Sequence, residues 1–168
     1  TEEHEQTGTF DVNRFVLPEE ARVLVVVEGT GASACNAYAF ERGENGWELR
    51  MQTGGYLGLN GMSNHRTEGD KTTPIGVFQM NTPFGQDAPL EGFPANYIKV
   101  DETYIWSQDS NRLVRDLSAS GEQVGTAGYA EHYDYVISRR PSGLRKTILL
   151  YNSLAHRTTW LRSDLLKL

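Results

Sequence analysis

Residues 22–28 read Arg-Val-Leu-Val-Val-Val-Glu. A β-branched run of this length is too apolar for a loop and too short for an ordinary helix, so it commits the chain to a sheet. Gly29-Thr30-Gly31 then turns the backbone. Ser33–Phe40 (SACNAYAF) follows as a second strand, with Ala34, Asn36, Tyr38 and Phe40 on one face and the smaller Cys35, Ala37 and Ala39 on the other. Glu41–Gly46 (ERGENG) reads as a hairpin loop. Trp47–Thr53 (WELRMQT) alternates Trp47, Leu49 and Met51 against Glu48, Arg50 and Gln52, the period of a half-buried strand. The three strands form a β-meander.

The rest of the chain adds strands and turns. Gly76–Asn81 is a strand reached through Thr73-Pro74, where Pro sets φ and pushes the preceding residue toward extended geometry. Phe84–Ala95 is a Gly- and Pro-rich loop. Tyr97–Val100 and Thr103–Trp106 are short apolar-polar runs around an Asp101-Glu102 turn, and Trp106–Thr126 is polar and reads as loop. Tyr133–Ile137 and Thr147–Asn152 read as further strands. Leu161, Leu165 and Leu168 share one face of a short C-terminal helix. Asp11–Glu20 holds a turn or short helix interrupted at Pro18. The expectation is a mostly-β, sandwich-like single domain over residues 11–168, its last part (138–168) atypical, behind a flexible tail at 1–10. The length of 168 residues fits one domain.

Charge and composition exclude several functions. A net charge of −6 argues against a nucleic-acid partner, which needs a basic face. It equally disfavours docking on anionic lipid. No apolar run reaches the roughly 18 residues of a membrane-spanning helix. With the single cysteine Cys35, no internal disulfide forms. His4, His65, His132 and His156 are scattered without ligand spacing, so neither a metal nor another cofactor is expected. Gly54, Gly55, Gly58 and Gly61 could suggest a phosphate loop, but no Lys-Ser/Thr and no helix pattern follows them.

The segment Glu68–Phe78 (EGDKTTPIGVF) carries the one motif. With Gly55-Tyr56-Leu57-Gly58 and Gly61 before it, and Ala130-Glu131-His132-Tyr133-Asp134-Tyr135 after it, it resembles the L,D-transpeptidase catalytic-domain family (YkuD-type) over about residues 22–137. The matching residues are Glu68, Gly69, Asp70, Thr73, Pro74, Gly76 and Phe78. The resemblance implies a β-sandwich-like fold and bacterial cell-wall chemistry outside the cytoplasm. In that chemistry a cysteine thiolate attacks a peptidoglycan stem peptide, releases D-Ala and passes the acyl group to an amine. Thr1 in place of Met is compatible with a processed, extracytoplasmic terminus. The family's carriers are a His and a Ser/Thr-x-Gly-Cys turn beyond the Tyr133–Ile137 strand. After Ile137 this chain has His156 but no cysteine, so that pair is carried to no position and an inactive or truncated relative is expected.

Each candidate residue has a functional and an architectural reading. Cys35 is the only thiol, but mid-strand cysteines among small residues are mostly buried structural groups. Glu68 and Asp70 could act as a carboxylate pair, or Asp70 caps the turn. Thr73, Pro74, Gly76 and Phe78 set the direction of the following strand. Trp106 with Tyr104 lines a peptide groove or packs in the core. His132, among Tyr129, Tyr133 and Tyr135, donates into a cleft or packs at the start of a strand. His156 with Asn152 or Ser153 is a weak relic of acyl transfer. Arg139, Arg140, Arg145 and Lys146 meet an anionic wall polymer or form a solvated loop. The partners expected are peptidoglycan stem peptides or wall polymer. Alternatively the chain is a non-catalytic peptidoglycan- or protein-binding module, with an open sheet edge for strand addition or a homodimer.

Overall fold

The computed structural model describes residues 10–17, 19–80, 82–110, 112–137, 139–140 and 146–152. The fold is mostly β. Its strands are β1 (Val23–Gly31), β2 (Ala34–Gly43), β3 (Gly46–Tyr56), β4 (Met62–Ser63), β5 (Thr73–Pro74), β6 (Gly76–Met80), β7 (Phe84–Gly85), β8 (Ile98–Lys99), β9 (Ile105–Ser107), β10 (Arg112–Val114), β11 (Gly121–Glu122), β12 (Arg139–Arg140) and β13 (Lys146–Asn152). The helical pieces among the described residues are two 3-10 turns, Val12–Arg14 and Ala127–Tyr129. The first is capped by Asp11, whose carboxylate accepts from the Asn13 N–H. The terminal Leu helix, residues 1–9 of the expected 1–10 tail, Ser153, His156 and Arg145 lie outside the described residues. The chain divides into two compact units, residues 1–79 with 141–168, and residues 80–140.

In the first unit the strand order is β6–β13–β1–β2–β3. β1–β2, β2–β3 and β13–β6 are antiparallel, and β1–β13 is parallel. The meander is present, with strands longer than the sequence pattern suggests and a turn reduced to Glu44-Asn45. Register puts Leu24 opposite Phe40 and Val26 opposite Tyr38 on one face. All four are buried, with Val12, and Phe10, Phe15, Leu17, Trp47 and Val77 pack against them. Burying each such side chain contributes about 1.5–3 kcal/mol. Tyr38 reaches out of this core to donate to the Glu28 carboxylate at 3.1 Å.

The expected single apolar face of Trp47, Leu49 and Met51 is not formed. Phe40 pairs with Leu49 and Ala39 with Met51, so Arg50 is an extra residue in a bulge. The bulge reverses the alternation. Leu49 stays on the Phe40 face, whereas Met51 moves to the Ala39 face. Arg50 instead bonds Glu41 at 3.1 Å and Glu48 at 2.8 Å. Leu49 and Met51 are both exposed, because β3 ends the sheet. A bulge carrying charges is also a device that blunts an edge against further strand pairing.

The second unit is built differently. β9 pairs with β10 and β11, so the stretch expected to be loop contains two strands of a three-stranded sheet. Strands of two or three residues are too short to show a period. β7 pairs in parallel with β8. The strand expected over Tyr133–Ile137 is reduced to one bridge, Val136 to Phe84. Phe84, Val100 and Val124 form the core, with Ile98, Tyr104, Trp106, Leu113, Tyr133 and Val136 against it. Backbones approach very closely here. A Cβ on Gly85, Gly121 or Gly125 would overlap a carbonyl oxygen of Asp134, Trp106 or Asp101. Gln86 Nε2 ties the loops together by donating to the carbonyls of Val124 (2.8 Å) and Thr126 (2.9 Å).

Candidate functional site

The motif folds as two backbone segments laid against each other. A Cβ on Gly58 would come within 2.8 Å of the Thr72 carbonyl carbon, so glycine is what permits the approach. The Asn60 N–H donates to Lys71 O at 3.0 Å, the Thr73 N–H to Gly61 O at 2.8 Å, and the Gly58 N–H to Thr73 Oγ1 at 2.8 Å. Asn60 Nδ2 adds a bond to Asp70 O at 2.9 Å. β4 and β5 continue the contact in parallel, Met62 beside Thr73 and Ser63 beside Pro74.

Asp70 locks the turn. Its carboxylate accepts from the Thr72 N–H, the Thr67 N–H and the Thr72 hydroxyl, each at 2.8 Å, with Arg66 Nε at 3.6 Å. These donors favour the charged form and hold the pKa down to about 2, the Thr72 amide contributing most. Asp70 is therefore a turn cap rather than a proton carrier at neutral pH. The turn it fixes includes left-handed Gly69 (φ 79°) and Lys71 (φ 59°), the latter a conformation that side-chain-bearing residues seldom adopt. Glu68 is exposed beside it.

Thr73 and Pro74 form β5, and Gly76 opens β6, where Gly76 stands opposite Leu150 and Phe78 opposite Ile148 of β13. A Cβ on Gly76 would lie 3.2 Å from the Phe78 ring. Seven of the candidate residues thus lie along one continuous segment of the first unit. Trp106 and His132 belong to the second unit. Trp106 is half-buried and stacks on Phe84 with ring centroids 5.7 Å apart, as a core residue does. His132 is exposed in a turn, its Nδ1 3.0 Å from Ala130 O. Beside it, Tyr133 donates to the Glu122 carboxylate, and burial together with that carboxylate pushes the phenol pKa well up.

Cys35 is buried at the opposite face of the sheet from Phe40. It stands between Gly29 on β1 and Gly55 on β3. Its Sγ lies 3.2 Å from where a Gly55 Cβ would be, and Met62 and Leu57 press on Gly29. Burial raises its pKa, opposite to what an activated thiolate needs. Cys35 is a packing residue.

The glycines also frame a small cavity that the sequence reading missed. It has a volume of about 180 Å³ and lies between the β1–β2 turn (Gly31, Ala32) and Leu57, Asn60, Gly61 and Met62. Tyr56 and Leu59, on the same segment, are 90% and 68% exposed. The signal was the apolar pair Tyr56-Leu57 set among glycines, where a loop has little reason to carry large apolar groups. The described residues contain no His/Cys/Asp/Glu cluster able to hold a metal, and no helix long and apolar enough to cross a membrane. Searches against family models, curated proteins and solved structures find no match to this chain.

Proposed function

We propose that this chain is an L,D-transpeptidase-like protein of the bacterial cell envelope that binds wall peptide without performing acyl transfer. The observation that supports it is the hydrogen-bonded Gly54–Phe78 segment. It presents Tyr56 and Leu59 to solvent beside a cavity lined partly by glycine backbone. Backbone and apolar surface together suit a short extended peptide, which needs main-chain partners and shallow apolar contacts. The same segment holds the residues on which the family resemblance rests. Binding without catalysis follows from chemistry: the sole thiol is buried and its pKa raised, and Asp70 is committed to its turn.

Two assays separate the parts of this reading. Co-sedimentation with purified sacculi should retain the protein above an unrelated acidic control; equal retention would remove the binding claim. Incubation with a tetrapeptide-stem muropeptide should release no D-Ala. Release that disappears in Cys35→Ala would restore catalysis and assign it to Cys35.

A further inference from the structure

A second feature of the first unit is independent of the wall-peptide reading. Register sets Val23 opposite Glu41, and the Arg42 N–H donates to Arg22 O at 2.8 Å, which places Arg22 opposite Arg42. Arg42 in turn stands opposite Trp47. Arg22, Arg42 and Trp47 therefore form one cross-strand row. Like charges facing each other across strands are destabilising. Here the two side chains also converge on a single atom. Nη1 of Arg22 and Nη1 of Arg42 each donate to the Glu19 carbonyl oxygen at 2.7 Å.

Neither guanidinium has a carboxylate partner among the described residues. The ion pairs there join Arg50 to Glu41 and Glu48, and Arg66 to Asp70. The Arg22 Nη1 also reaches Ala21 O at 3.3 Å, but Nε and Nη2 of both forks have no hydrogen-bond partner among the described residues. Arg42 lies over the Trp47 ring, its guanidinium carbon 4.6 Å from the centroid. The row opens on a shallow cleft, largely open to solvent, lined by Glu19, Arg22, Arg42, Gly43 and Glu44.

We infer that the Arg22–Arg42 pair is a binding site for a carboxylate-bearing ligand in this cleft. A planar carboxylate takes two parallel N–H donors from a guanidinium fork, and its single charge offsets the repulsion between the arginines. Glu19 and Glu44 share the lining, so a doubly charged phosphate meets more repulsion than a carboxylate does. An ammonium group on the same ligand would meet those glutamates favourably. Trp47 holds one fork in advance, which lowers the ordering cost of binding.

The test is an NMR titration of the whole chain with sodium acetate and, separately, sodium phosphate, at constant ionic strength. Acetate should shift the Arg22 and Arg42 Nε–Hε signals and the Gly43 amide saturably. Arg42→Gln should weaken acetate binding about tenfold. Arg42→Lys should weaken it too, because charge remains but the fork is lost. Arg22→Gln, at an exposed position, gives the same reading if either Arg42 variant disturbs the fold by circular dichroism. Shifts that never saturate, equal affinity in folded Arg22→Gln, or tighter binding of phosphate than acetate would each overturn the assignment.

Discussion

The two units reach order by different means. In the first, long strands bury Leu24, Val26, Tyr38 and Phe40 on one sheet face. In the second, strands of two or three residues are held by loops whose backbones touch at Gly85, Gly121 and Gly125. The first unit's sheet rests on apolar area, although its motif also brings backbone against Gly58; the second unit relies on close backbone packing and loop hydrogen bonds around a small aromatic core. Burial tolerates small shifts at a graded cost, whereas a backbone contact admits no extra atom.

The largest effect should come from the first unit's core. Leu24→Ala, at a fully buried position, should cost about 2–5 kcal/mol in urea unfolding. A loss below about 1 kcal/mol would mean that burial is not what holds this sheet together. Next is Gly125→Ala, which adds one methyl against the Asp101 carbonyl. It should cost about 1–3 kcal/mol, the overpacking range, and hydrogen exchange should quicken around Val100 and Val124. A neutral Gly125→Ala would erase the contrast between the units.

A smaller, pH-dependent effect sharpens the role of Asp70. Its folded pKa of about 2 lies below the unfolded value of about 3.9, so its contribution is fully present above the unfolded value. It is lost as pH falls through about 2. Asp70→Asn should be less stable near neutrality and lack this part of the acid-induced loss. Parallel urea midpoints for the two proteins from neutral to acid pH would contradict the assignment. The smallest expected change is in Tyr56→Ala. At 90% exposure, Tyr56 should contribute less than about 0.5 kcal/mol to stability while contributing to ligand binding.

The contrast between the units also explains what the sequence revealed. Val23–Val27 and Ala34–Phe40 carry a period that burial enforces, so their strands and faces were legible. Trp47–Thr53 has the same period, but the Arg50 bulge reverses it, and a bulge is set by pairing with β2 rather than by local pattern. Arg112–Val114 and Gly121–Glu122 form β10 and β11 but are too short to alternate, so their sequence pattern is that of a loop. At the candidate site, Asp70 as turn cap and Cys35 as buried packing were readable from residue type and neighbours. The cavity was not. It needs the β1–β2 turn beside Gly61, a proximity visible only in three dimensions.

The proposed function requires the first unit to bind wall peptide through Gly54–Phe78 without catalysis. Titrating a soluble tetrapeptide-stem muropeptide into the isotopically labelled protein tests it most directly. Saturable amide shifts are expected at Tyr56–Met62 and Asp70–Thr73, weakened in Tyr56→Ala, with the ligand intact afterwards. Shifts confined to residues 80–140, no saturable shift at all, or cleavage of the ligand would contradict it.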